Sequence, residues 1–177
     1  SEMYAPILLG MDEKENGKYN IWVSNDLQRD IKGRIRVLVE DMKGNQMFAF
    51  SEVVDIKANS CFRLSENVII NVSKKKRTEC YARIILMEED TVLSERLHFF
   101  AYPKDLKLVK TELEPKVTFA DGKYTLEFNS KVFVKDVFVS TTEAGEFSRN
   151  FFDVLPNTPM IITFEPEDKE KKNLKFK

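Results

Sequence analysis

The sequence predicts an all-β chain folded as two tandem sandwiches. Three observations carry that expectation. Apolar residues recur at every second position over most of the chain, turn signals interrupt at short intervals, and no stretch of about 12 or more residues keeps a helical period. A length of 177 residues accommodates one large domain or two small ones.

The first set of alternating runs occupies residues 1–104. In KYNIWVSN, Tyr19, Ile21 and Val23 share one face. In GRIRVLVE, Ile35, Val37 and Val39 alternate with Arg34, Arg36 and Leu38. CYARIILME sets Cys80, Ala82, Ile84 and Leu86 against Tyr81, Arg83, Ile85 and Met87. Such a period marks strands with one face on a core. Turn signals separate them at Asn16-Gly17, Lys43-Gly44-Asn45, Ala58-Asn59-Ser60 and Glu88-Glu89-Asp90. About seven strands fit, over 5–11, 18–25, 33–40, 46–57 (bent or broken), 61–72, 79–88 and 92–101, the pattern of an immunoglobulin-like sandwich.

AYPKDLKLVKTELEP follows, a mostly polar segment bracketed by Pro103 and Pro115, and reads as a linker into a second unit over 105–177. There, VTFADGKYTLEFNS gives two strands around Asp121-Gly122, a strong hairpin signal, with Tyr124, Leu126 and Phe128 on one side. KVFVKDVFVS and MIITFEP supply two more, and NLKFK is a candidate last strand. The charged run EPEDKEKKN reads as a solvated hairpin tip. About 70 residues is a size at which a lone core is marginal, so this smaller immunoglobulin-like sandwich is expected to lean on a neighbour.

Composition narrows the function classes. With 42% hydrophobic and 32% charged residues the chain is globular in type, and no apolar run approaches the ~20 residues of a bilayer-spanning helix. A formal net charge of -1 argues against a nucleic-acid partner, and Lys74-Lys75-Lys76-Arg77 reads as a solvated turn. Cys61 and Cys80 are too few for a disulfide framework or a zinc site; both lie in strand-like runs and read as small buried residues, with a bridge between them left open.

Candidate chemistry is sparse. His98, the one histidine, sits in a strand and reads as structural, and no serine lies in a nucleophile elbow. The acidic pairs at Asp12-Glu13 and Glu88-Glu89-Asp90 suit exposed turns better than calcium. Paired carboxylates could meet by chance, yet none sits in an apolar pocket of the kind that raises a pKa. No catalytic residue, metal ligand or cofactor is therefore assigned. Four aromatic residues stand as candidates for carbohydrate binding or a domain interface. Trp22 has the opposite parity to Tyr19, Ile21 and Val23, so it occupies either a second buried face or an exposed platform, with packing favoured. Phe147, Phe151 and Phe152 cannot all face one core at their spacing, and at least one is expected to pack against another domain. Asp153 and the turn Pro156-Asn157-Thr158-Pro159 are expected to set a loop-to-strand transition.

The order and spacing of several stretches carry a family resemblance. YAPILL at 4–9, WVSNDL at 22–27 and KGRIRVLVEDMKG at 32–44 resemble the segment that follows the catalytic barrel in glycoside hydrolase family 2 β-mannosidases. PKDLKL at 103–108, DGKYTLEFNSKVFVKDVFVS at 121–140 and FSRNFFDVLPNTPMIITF at 147–164 are similar to the family's last domain. The resemblance implies a multidomain exo-enzyme that removes terminal β-D-mannose from oligosaccharides, with retention, through two glutamates in the barrel. A (β/α)₈ barrel needs about 250 residues, so neither glutamate maps onto this chain. The implied role is that of non-catalytic accessory or scaffold domains, with the catalytic barrel of the same parent chain as partner and mannose-containing oligosaccharide as a second one. A carbohydrate-binding module and a pair of adhesive protein-interaction sandwiches are the alternatives. The family occupies both bacterial periplasm and lysosome, which leaves the compartment open.

Overall fold

The computed structural model describes residues 5–64, 66–168 and 173–177. Its regular structure is almost entirely β, in two compact units: Ser1–Asp41 with Asn45–Leu106, and Met42–Gly44 with Lys107–Lys177.

In the first unit, β1 (Ile7–Glu13) pairs antiparallel with β2 (Lys18–Asn25), placing Gly10 opposite Trp22 and Asp12 opposite Asn20. The second sheet uses β3 (Ile31–Asp41) and β4 (Gln46–Ile56), a continuous strand rather than a broken one. Val39 faces Phe48 and Glu40 faces Gln46, so Met47 is the extra residue of a bulge. The expected strand at 61–72 is two short ones, β5 (Ser60–Arg63) and β6 (Val68–Ile69), both laid on β2. The chain leaves the ladder between them, where the Leu64 N–H still donates to Ile21 O at 3.1 Å. Strands β7 (Cys80–Glu88) and β8 (Thr91–Phe99) complete the second sheet in the order β4-β3-β7-β8.

Two sheets with one apolar face each must bury those faces against one another. Ile7, Leu9, Met11, Tyr19, Ile21 and Val23 come from the first sheet; Ile35, Val37, Val39, Ile84 and Leu86 come from the second. Edge strands β1 and β8 are tied at the side of the sandwich: Arg96 Nη1 donates to Leu9 O at 3.0 Å and Ser94 Oγ to Ile7 O at 3.4 Å.

In the second unit, β9 (Lys116–Ala120) and β10 (Lys123–Phe128) join at Asp121-Gly122, with φ of 51° and 74°. Two successive left-handed residues are what a tight two-residue hairpin demands, and Asp-Gly supplies them. Four further strands follow: β11 (Val134–Val137), β12 (Gly145–Phe147), β13 (Phe152–Val154) and β14 (Met160–Pro166). The larger sheet runs β12-β14-β10-β9, and β11 pairs with β13 separately. Tyr124, Leu126, Phe128, Val139, Phe152, Val154, Ile162 and Phe164 form the core, with Leu174 and Phe176 packed on it. Residues of NLKFK take no strand assignment, although Ser140 and Lys177 exchange both backbone hydrogen bonds. Residues 169–172 of the charged run before them lie outside the described residues.

Candidate functional site

Trp22 is neither core nor free platform. It projects from the outer face of β2, half-buried, and lies across Gly10 of β1. An added Cβ at Gly10 would stand 1.9 Å from indole Cε2, so the ring takes the space a side chain would occupy. Trp22 Nε1 donates to Asp12 Oδ2 at 3.0 Å, which fixes the ring's orientation with a charge-assisted hydrogen bond.

A cleft of about 270 Å³ opens beside this pair, at the edge of the sandwich where β1 meets β8. Trp22, Asp12, Arg96, His98 and Tyr102 contribute the polar and aromatic part of its wall. Arg96 is exposed; one guanidinium nitrogen reaches Leu9 O, and no carboxylate among the described residues pairs with it. Tyr102 is 74% exposed. Its backbone is extended, with φ -63° and ψ 145°, ahead of the short 3₁₀ turn at Pro103–Asp105. That agrees with the bias proline imposes on the residue before it.

His98 is half-buried among aromatic rings. The Tyr19 ring centroid stands 5.9 Å away and that of Phe100 5.3 Å, both edge-on. Burial holds its pKa below the ordinary histidine value, outweighing the pull of Glu13 and Asp12. Burial also pushes Tyr19 up to about 12. Glu13 is held below the usual carboxylate range chiefly by Arg77, whose Nη1 donates to its Oε2 at 3.0 Å.

The three phenylalanines separate as their spacing requires. Phe152 is buried in the core of the second unit, and Phe147 packs on it with its ring 4.6 Å from Phe164. Phe151 faces outward at 71% exposure. Its φ is 55°, a left-handed conformation that costs a bulky residue about 1–2 kcal/mol. Asn150 sustains the bend: its side chain accepts from the Val139 N–H at 2.8 Å and donates to Val139 O at 2.7 Å, and its Oδ1 also accepts from the Phe151 N–H at 3.2 Å. The Phe151 ring stacks, tilted, on Phe138 at 4.9 Å, and Phe138 is itself 55% exposed. Phe138 also lines an apolar groove of about 450 Å³ with Leu113, Phe128, Val134, Val137 and Phe176.

Two expectations need correction. Cys61 is exposed and Cys80 buried, and both thiols are free; Cys61 sits on the outer face of β5, opposite Ser24, so strand placement alone did not bury it. Asp153 does not act in its own loop. Its Oδ1 accepts from the Asp136 N–H at 2.9 Å, across to β11, where Asp136 has φ 54°. Arg96, Tyr102 and Phe138 escaped the sequence reading, and Asp12, read there as part of an exposed turn, lies in β1 instead; each gains its significance only from a neighbour distant in sequence. Among the described residues, no group of three or more His, Cys, Asp or Glu is placed to hold a metal ion.

Comparison with known proteins is consistent with this architecture. Residues 17–105 match the family model of the Mannosidase Ig/CBM-like domain, and residues 108–177 match an Ig-fold domain. No curated protein sequence matches. A crystal structure of β-D-mannosidase from Dictyoglomus thermophilum aligns over 98% of this chain, with TM-score 0.72 and 22% identity. The exo-chitosanase CsxA from Amycolatopsis orientalis aligns over 93%, with TM-score 0.57 and 11% identity. The chain spans 21% and 24% of those two proteins. At such identities the likeness is one of fold. The chain belongs to the Mannosidase Ig/CBM-like domain family and carries, after that domain, a second domain of Ig fold.

Proposed function

We propose that the two domains are non-catalytic accessory and scaffold domains of a β-mannosidase, a glycoside hydrolase that removes terminal β-D-mannose from oligosaccharides. The observation that carries the scaffold role is the Phe138–Phe151 pair. Two large rings stand in water side by side, one of them at a strained φ, beside an apolar groove. Strain and exposed apolar area both cost free energy; covering the rings with another surface recovers the second, and that gain offsets the first. Each Phe so buried contributes about 1.5–3 kcal/mol, and seams between domains of one chain cover roughly 600–1,500 Å². The occupant is the catalytic domain of the same parent. The acid/base and nucleophile glutamates of the reaction belong to that domain, and the present chain acts on catalysis through its stability and placement.

The parent enzyme, with and without these residues, provides the test. Deletion should lower the catalytic domain's melting temperature, and Phe151→Ala with Phe138→Ala in the full chain should reproduce part of that loss. An unchanged melting temperature and unchanged turnover of an aryl β-mannoside in both variants would remove the scaffold role.

A further inference from the structure

We propose that the cleft beside Trp22 in the first domain is a subsite for a single neutral pyranose ring. The idea goes beyond the scaffold role and stands independently of it. A sugar ring offers an apolar face of C–H groups and an edge of hydroxyls that both donate and accept. The cleft wall offers the counterparts. Trp22 supplies an aromatic surface that does not have to be ordered on binding, because its Nε1 is already fixed on Asp12 Oδ2 at 3.0 Å and its ring already fills the space over Gly10. Tyr102 supplies a second ring, 74% exposed, with a hydroxyl able to donate and accept.

Polar groups of both senses are present. Asp12 spends one carboxylate oxygen on the indole, and its other oxygen is left as an acceptor. Arg96 spends one nitrogen on Leu9 O, and the rest of its fork is left as donors. Neighbouring hydroxyls on a sugar match an acceptor beside a donor fork. Asp12 and Arg96 also cancel in charge, so an acidic or amino sugar finds no net attraction to offset the loss of its own hydration, a cost that a neutral ring does not carry. Size sets the limit: about 270 Å³ is just under the roughly 300 Å³ where drug-sized sites begin, which suits one ring rather than a chain of them.

The chain contains a single tryptophan, so its fluorescence reports this site alone. The 177-residue protein is titrated with methyl α-D-mannopyranoside and methyl β-D-glucopyranoside. Glucosamine and glucuronate serve as charged comparators, and glycerol controls for viscosity and general polyol effects. The expected result is a saturable emission change at millimolar neutral glycoside, with the Trp22 indole N–H resonance shifting along the same curve. Tyr102→Ala, at an exposed position, should weaken binding by about tenfold without altering the melting temperature; Arg96→Leu should weaken it similarly, with a small fall in melting temperature because the tie to Leu9 O goes with it. A response that stays linear and equals that of glycerol overturns the proposal. So does saturation only with a charged sugar, and so does binding that both variants leave intact.

Discussion

Trp22 lies over Gly10, its partner across the β1–β2 ladder, and hydrogen-bonds Asp12 two residues further along β1. The glycine is required by its neighbour rather than by its own backbone, since its Cβ position is filled by the indole. Gly10→Ala should therefore displace the ring and destabilise the first domain by about 1–3 kcal/mol, the usual cost of overpacking. A lower urea midpoint with red-shifted tryptophan emission is the expected readout. An unaltered emission maximum would mean that the contact does not hold in solution.

The outer face of the second sheet carries a charged network. Arg83 Nε donates to Glu95 at 2.7 Å, its Nη1 approaches Glu40 at 3.4 Å, and Tyr81 donates to the other Glu40 oxygen at 2.9 Å. Burial works against the Arg83 charge, but the two carboxylates more than offset it and its pKa is raised; burial, then Glu40, pushes the Tyr81 hydroxyl well above its usual range. Arg83→Leu leaves Glu40 half-buried beside Glu95 without its cation. A loss of about 2 kcal/mol is expected in chemical denaturation, and Arg83→Leu combined with Glu40→Gln should recover part of it.

Stability should fall in two stages on acidification. His98 has a lowered pKa in the folded chain, so the unfolded chain binds its proton more readily, and stability declines as pH drops below about 6.5. Glu13, lowered chiefly by Arg77, contributes stability present above about pH 4.3 that is lost as pH falls through its folded value. Unfolding free energies between about pH 7.5 and 5.5 isolate the first stage. His98→Gln should flatten the curve there and leave the acid stage unchanged; a wild-type curve already flat in that window contradicts the assignment.

Phe151 gives a substitution of opposite sign in two settings. Phe151→Gly relieves a φ of 55°, so the isolated chain should gain about 1 kcal/mol. The parent enzyme should lose stability, because the ring that meets its seam is gone. Melting temperatures of both, side by side, decide the matter. A loss in the isolated chain would show that the Phe138 stacking outweighs the strain.

The two thiols should react very differently. Cys61 is exposed, whereas Cys80 is buried, donates to Lys76 O at 3.2 Å and has its pKa pushed up to about 11 by burial. Native protein should take up one equivalent of maleimide quickly and a second only in denaturant. Two fast equivalents would indicate that β7 opens readily at Cys80.

Most strands were legible because burial on alternate residues leaves its mark in the residues themselves: Tyr19, Ile21 and Val23 are all fully buried. The Asp121-Gly122 hairpin was legible because those two residue types tolerate left-handed backbone. The break between β5 and β6 was not, since a chain can leave a ladder and rejoin it without disturbing a run of apolar residues. Candidate sites were harder still. The position of Trp22 depends on a glycine 12 residues away and that of Phe151 on an asparagine clamped to Val139. Nothing in a phenylalanine's own neighbourhood announces a positive φ. Family resemblance identified the type of domain, while the cleft at Arg96 and Tyr102 emerged only when β8 and β1 were brought together in space.

The most direct test of the accessory role is a turnover assay on the purified 177-residue chain with an aryl β-D-mannoside, at high protein concentration and over hours, beside a buffer blank. Hydrolysis at the blank rate is the expected result. Release of mannose above it, proportional to protein and abolished by unfolding the chain, would mean that these domains carry a catalytic site of their own.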